Sequence, residues 1–201
     1  MAKFSVVVIN YNGKEYLRRC LNNVKASGLK PTKVIVVDDA SSDGSSEMTE
    51  SEFPEFIAIK NEKNSGPTKS RNIGAKEAIG DYIIFLDNDL LAREDTFEKL
   101  TDFMEKSPEA GACGPKLKLK GREKMWWNMG YDPNNFREAA GYIFGFFLKI
   151  FPKSKFLKRT SMLFILNYWD YDKLLAVDWV VESCFIIRKN IFDEIIGFDE
   201  K

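Results

Sequence analysis

An α/β fold with a mostly parallel central sheet flanked by helices is predicted by three features of the chain. Four short apolar, β-branched runs recur at Phe4 to Ile9, Lys33 to Val37, Phe56 to Ile59 and Tyr82 to Leu86. The segments between them place apolar residues at helical spacing, and near-continuous apolar runs suit parallel strands buried on both faces. The runs ending at Ile9, Val37 and Leu86 are each followed by acidic or amide residues, the sheet edge where ligands sit in this architecture.

The elements follow in order. After the first strand, Tyr16, Leu17, Cys20, Leu21 and Val24 form one helical face, and Gly28 is expected to stop the helix. A second helix should start near Ser45. A third should begin at Pro67, a residue suited to the first turn, and run through Arg71, Ala75 and Ala78 until Gly80. A fourth carries Phe97, Leu100, Phe103 and Met104 on one face. The second half is less regular. A strand is expected over Ala110 to Leu119, then a long insertion from Gly121 to Val177, a strand over Trp179 to Ile187, a short helix from Lys189 to Ile195 and a turn at Gly197.

Composition narrows the chemistry. The chain has 201 residues, enough for one domain with a full core, and 30 basic residues balance 30 acidic ones. No whole-molecule field draws it to nucleic acid. Cys20, Cys113 and Cys184 form no CxxC pair and suit reduced, buried thiols. The first residues lack the pattern of a signal peptide, and no apolar run reaches the roughly 18 residues of a membrane span, so a cytoplasmic setting is expected. The count of histidines is zero, which removes Ser-His-Asp triads, Cys-His pairs and imidazole metal sites from this chain.

Three polar clusters remain: "NYNG" at Asn10 to Gly13, "DDASSDGS" at Asp38 to Ser45 and "DND" at Asp87 to Asp89. Carboxylates converging on one sheet edge repel unless a cation lies among them, which suggests Mg²⁺ or Mn²⁺ with oxygen ligands and, through the metal, a diphosphate. The alternative is that Asp39, Ser42 and Asp89 are helix caps or turn formers. "GPTKS" at Gly66 to Ser70 is not a phosphate loop, because Lys63 and Thr68 stand where that motif needs glycines. No GxGxxG follows the first strand.

The stretches "SVVVINYNG", "VIVVDDASSDGS", "NSGPTKSRNIGA", "GDYIIFLDND" and "VDWVVESCFIIRKNIFDEIIGFDE" together resemble, in order and spacing, the family 2 glycosyltransferases of GT-A fold. The likeness is to the rhamnosyltransferase-like branch, and it extends over essentially the whole chain. It implies a single GT-A domain over 1–201, with a nucleotide-sugar-binding half at 1–110 and an acceptor-side half at 111–201 that carries the aromatic and basic insertion 121–177.

The resemblance also implies roles. Asp87 and Asp89 match the family's Asp-x-Asp, Asp89 binding the divalent ion and Asp87 lying near the ribose and metal, with Asn88 between them in the nucleotide-sugar site. Asp39 matches a base-contacting position, Tyr11 one that packs on the base, and Arg71 one close to the phosphates. The implied activity is metal-dependent, inverting transfer from dTDP-rhamnose or a UDP-sugar to a glycan or lipid-linked acceptor in polysaccharide assembly. The family's general base lies shortly after its Gly-Phe-Asp-Glu segment, here Gly197 to Glu200, and is therefore expected beyond Lys201. Glu182, in "VVESC", departs from the family pattern and is either a substitute base or half of an ion pair. A chain lacking its base would be a binding module without efficient turnover, and nucleotidyl transfer is a third reading.

The segment Arg137 to Arg159 holds six basic residues against one acidic one, beside the apolar stretch "GYIFGFFLKIF". That pattern suits a peripheral contact of 142–159 with an anionic membrane on its inner face. The alternatives are packing of the aromatics on the sheet or on a second copy, as a homodimer.

Overall fold

The computed structural model describes residues 2–118, 129–130, 135–161, 174 and 176–200. The chain forms two compact units, Met1–Pro115 with Glu182–Lys201, and Lys116–Val181.

In chain order the first unit opens with β1 (Phe4–Asn10), α1 (Lys14–Lys25), β2 (Lys33–Asp38), α2 (Ser45–Glu52), β3 (Ile57–Lys60), α3 (Pro67–Lys76), β4 (Tyr82–Asp87), α4 (Thr96–Lys106) and β5 (Ala112–Cys113). The second unit contains β6 (Met129–Gly130), α5 (Asn135–Ile150), α6 (Lys155–Ser161) and β7 (Trp179–Val180). The chain then returns to the first unit with β8 (Cys184–Arg188) and α7 (Lys189–Glu194).

The main sheet has the order β3-β2-β1-β4-β8-β5. β3, β2, β1 and β4 are parallel, while β8 runs antiparallel to both β4 and β5. The chain moves outward from β1 to β3 and comes back to β4 on the other side of β1. The crevice between the carboxyl ends of β1 and β4 is thus a topological switch point, the usual ligand position in open α/β sheets. Register aligns Asn10 with Asp38 and Ile9 with Asp87, so three polar strand ends meet at this edge.

The β-branched residues of β1, β2 and β4 are buried except Ile9, which is partly open, whereas β3 is a half-exposed edge strand on which Lys60 pairs with Glu47. Helix α3 packs on β1 and β2, and Phe4 of β1 meets Phe97 of α4 at 5.7 Å between ring centroids. Beneath β4, Phe85, Phe185, Phe192 and Phe198 form a cluster with centroids 5.1–6.1 Å apart. Arg188 donates to the carbonyls of Met104 at 2.7 Å and Ser107 at 3.0 Å, so a guanidinium covers the negative end of α4 and ties β8 to it. Burial pushes the thiols of Cys20 and Cys184 up to about 12, and no cysteine is paired in a disulfide.

Several predicted elements are corrected. α1 ends at Lys25, before Gly28, which does not form its stop, and Tyr16 is exposed off its apolar face. α3 ends at Lys76 rather than Gly80. Gly80 instead sits at φ +95° with its Cα against the chain start: a Cβ there would lie 2.5 Å from the Lys3 carbonyl oxygen, so only glycine permits the approach that aligns β4 with β1. The strand expected over Ala110 to Leu119 is paired only at Ala112–Cys113, and Leu119 lies outside the described residues. The strand expected over Trp179 to Ile187 is two strands in two sheets. β7 pairs with β6, and a turn at Glu182 and Ser183 sends β8 to the main sheet, with Ser183's carbonyl accepting from Asp87 N–H at 2.8 Å. Much of the insertion 121–177 also lies outside the described residues.

Candidate functional site

At the switch point a cleft of about 360 Å³ is lined by Ile9 and Asn10 from β1, Tyr11 just after it, Asp39 after β2, and Asn64, Gly66, Pro67, Ser70 and Arg71 around the start of α3. Asp87, Asn88 and Asp89 after β4, together with Glu182, complete it. The volume is within the usual range of small-molecule sites, roughly 300–1,000 Å³. Every site residue expected from sequence, Tyr11, Asp39, Arg71, Asp87, Asn88, Asp89 and Glu182, is brought to this one wall.

The neighbouring Asp38 and Asp39 do different work. Asp38 accepts from Asn10 Nδ2 at 2.9 Å, from Ser41 Oγ at 2.5 Å and from Ser41 N–H at 3.1 Å. It locks the loop after β2 against the end of β1. Asp39 points the other way: its Oδ1 accepts from Asn61 Nδ2 at 2.7 Å and Ser65 N–H at 2.9 Å, and its Oδ2 from Gly66 N–H at 2.8 Å. Those bonds hold the loop that starts α3, leaving little acceptor capacity for anything else. Ala40, which follows, lies at φ +62°, a left-handed geometry that costs a non-glycine residue about 1–2 kcal/mol and persists because both flanks are tied. Neither Asp39, Ser42 nor Asp89 is a helix cap; α2 and α4 are entered from Gly44 and Asp95.

Asn88 donates to Asn10 Oδ1 at 2.5 Å, which makes the end of β4 continuous with the Asn10–Asp38 network. A Cβ at Gly13 would collide with Asn88 Nδ2, so the glycine leaves room for this side chain as it stands. Tyr11 is exposed at the rim, a flat apolar surface open to a ligand.

Arg71 is the most constrained charge in the cleft. It is 3% exposed, its Nη2 donates to Asp87 Oδ1 at 2.8 Å and its Nη1 lies 3.4 Å from Glu182 Oε1. Its Nε is buried with no hydrogen-bond partner among the described residues. Leaving a buried donor unmatched costs about 1–3 kcal/mol, more for a charged group, and an anionic oxygen arriving in the cleft would offset it. Burial raises the pKa of Asp87 above the ordinary carboxylate range; Arg71 and Ser183 oppose that shift, and the nearby Asp89 charge adds to it. Glu182 lies exposed in the turn between β7 and β8, so it meets Arg71 from a loop rather than from a strand.

Sequence reasoning placed Asn10 in the polar cluster after β1 and weighed Gly66 and Ser70 only as part of a rejected phosphate loop, and it did not single out Asn61 or Asn64. Only the start of a helix at Pro67 marked this stretch, which borders the cleft through Asn64, Gly66, Pro67 and Ser70. For a metal, the donor set is all oxygen: exposed Asp89 and partly engaged Asp87. Among the described residues no group of three His, Cys, Asp or Glu side chains could hold an ion unaided. Two carboxylates with the remaining positions left to phosphate oxygens is a normal arrangement for Mg²⁺, so the residues fit a metal that arrives with a diphosphate.

The sequence profile of glycosyl transferase family 2 matches residues 5–195. The chain belongs to that family. A protein of Rickettsia felis named as an uncharacterized glycosyltransferase is 36% identical over 106 residues, 52% of this chain and 18% of its own length. Staphylococcus aureus TarS, a poly(ribitol-phosphate) beta-N-acetylglucosaminyltransferase, is 33% identical over 111 residues, 52% of this chain and 19% of its own length. The chain therefore spans about a fifth of each of these relatives. The crystal structure of TarS 1–349 superposes with a TM-score of 0.63 over 99% of this chain and 51% of that one, at 22% identity. The mannosyltransferase PcManGT from Pyrobaculum calidifontis, solved with GDP-Man and Mn²⁺, gives 0.62 over 99% of this chain and 48% of that one, at 17% identity. These likenesses, with the sheet described above, establish the GT-A fold of this family 2 chain.

Proposed function

We propose that the cleft binds a nucleotide-diphosphate sugar and that the chain is a metal-dependent, inverting glycosyltransferase. The observation that carries this reading is the buried Arg71, held between Asp87 and Glu182 at the start of α3 with Nε unmatched, beside exposed Asp89. The site thus has an unused buried cation donor for phosphate and carboxylates for a metal. TarS 1–349 has been solved with UDP-GlcNAc, and that structure matches 61% of this chain at 29% identity with a TM-score of 0.55, which supports a sugar-nucleotide ligand.

In this reading Tyr11 packs on the base and Asp39 shapes the base-side loop. Arg71 meets the diphosphate. Asp89, with Asp87, would hold Mg²⁺ or Mn²⁺ together with diphosphate oxygens, and the ion would stabilise the negative charge of the departing diphosphate. An acceptor hydroxyl oxygen forms a bond to the anomeric carbon while the bond from that carbon to the phosphate oxygen breaks, and its electron pair leaves with the nucleoside diphosphate. A single displacement inverts the configuration. The acceptor proton passes to a carboxylate base, for which Glu182 is the candidate on the cleft wall. The donor classes are dTDP-rhamnose and UDP-sugars, and the acceptor is a glycan. An acceptor carried on a lipid would bring the chain to the inner face of the membrane as a peripheral protein.

A second reading is favoured by Glu182's engagement with Arg71: the chain holds a sugar nucleotide without efficient turnover. Titration calorimetry of UDP and dTDP with Mn²⁺ and with EDTA tests the common core of both. Asp89→Asn should weaken metal-supported binding about a hundredfold, equivalent to roughly 3 kcal/mol. Equal affinity in EDTA would remove the metal role, and no binding of either nucleotide would remove the donor site. Glu182→Gln with unchanged transfer would place the base elsewhere.

A further inference from the structure

We infer that α5 and α6 form a docking surface for an anionic lipid bilayer, with α5 lying in the headgroup plane. In the described part of α5 most of the side chains turned to solvent are apolar. Tyr142 is 81% and Phe146 61% exposed, and Ile143, Phe147 and Ile150 are exposed with them. Their spacing of three and four residues makes one continuous stripe along the helix. Phe151 and Phe156 are exposed on the connection to α6 and on α6 itself. An ordinary surface helix presents the opposite pattern, and an exposed apolar area of this kind marks an interaction site.

Charge selects the occupant. Lys149, Lys153 and Lys155 are exposed around the apolar stripe, and Lys158 and Arg159 follow in sequence, while Glu138 is the only acidic residue between Arg137 and Arg159. A two-fold dimer through this face would set the same cations of each copy against one another, and protein interfaces are depleted of lysine. An anionic bilayer instead accepts aromatic side chains at its headgroup boundary and attracts the lysines that surround them. The 16 residues of α5 are about 24 Å long at 1.5 Å per residue, shorter than the roughly 30 Å hydrocarbon core, and no helix among the described residues is long and apolar enough to cross a membrane. The surface therefore lies on a bilayer.

The test is flotation of the full chain with vesicles of phosphatidylcholine alone or mixed with phosphatidylglycerol, at low and high salt. Binding is expected to the anionic vesicles and to weaken with salt, because the attraction is screened over about 8 Å at physiological ionic strength. Each lysine near an anionic surface contributes roughly fivefold, so the combined Lys149→Gln, Lys153→Gln and Lys155→Gln chain should bind about a hundredfold more weakly. Phe146→Ser should weaken binding roughly tenfold at every salt concentration, since it removes buried apolar area rather than charge. Circular dichroism of each variant checks that the helices persist; should Phe146→Ser lose helix, the lysine variant carries the test alone. Equal binding to neutral vesicles, no binding to either kind, or indifference to the lysine substitutions overturns the inference. So does light scattering that shows a dimer which Phe146→Ser converts to monomer, because the stripe would then be covered by a second copy.

Discussion

In α1 the apolar residues Leu17, Cys20, Leu21 and Val24 are buried, whereas in α5 residues at the same spacing, Ile143, Phe146, Phe147 and Ile150, are exposed. Both helices carry an i, i+3, i+4, i+7 stripe. In the first unit that stripe lies within a core built by a parallel sheet; in the second it faces outward, with Leu148 the buried large side chain. Periodicity reports that one side of a helix is apolar. It does not say whether protein or some other apolar phase covers that side.

The same contrast holds for polar groups. The first unit buries Asn10, Asp38, Asp39 and Arg71, and supports three of them with several bonds each, whereas Lys149, Lys153 and Lys155 around α5 are exposed. Burying polar groups on this scale is costly unless each is matched. That is why nearly every polar group of the network at the end of the sheet is matched, Arg71 Nε being the buried nitrogen among the described residues that has no partner.

The largest expected effect separates the two units by stability. Phe85→Ala opens a cavity among Phe185, Phe192 and Phe198 and should cost about 3–5 kcal/mol. Phe146→Ser should change stability by less than about 0.5 kcal/mol. Denaturant melts of both variants check this, and comparable losses would mean that α5's stripe is covered and the contrast is false.

Next comes the ligand side of the comparison. Arg71→Met removes the cation and leaves Asp87 without its partner, and nucleotide diphosphate affinity should fall about a hundredfold in calorimetry. The lysine substitutions in the second unit should leave that affinity unchanged. A weaker nucleotide complex in the lysine variant would show that the two units share one site.

A smaller effect sharpens how the first unit closes on itself. Asn72, next to Arg71 on α3, exchanges hydrogen bonds of 2.9 Å with the backbone of Phe198 in both directions and donates to Glu200 at 2.8 Å. Asn72→Ala should cost about 1–2 kcal/mol and remove amide-exchange protection at Phe198. Protection that survives would assign the anchoring of this turn to the Phe198 ring alone.

The pattern of four apolar runs, helical segments between them and polar clusters at their ends was sufficient to anticipate the α/β architecture and the edge where the site forms. Parallel strands are buried on both faces, so their sequences are continuously apolar, and the positions where that pattern stops mark the exposed strand ends. Tyr11, Asp39, Asp87, Asn88 and Asp89 could be placed beside the cleft for that reason, whereas Arg71, on α3, came only from the family resemblance. Tertiary structure alone decided the rest. It divided Asp38 from Asp39, turned the chain at Glu182 so that one predicted strand became two, tied the Ser65 and Gly66 N–H groups to Asp39, and set α5's stripe outward. Each of these depends on contacts between residues far apart in sequence, and local composition and spacing carry no information about which distant group arrives.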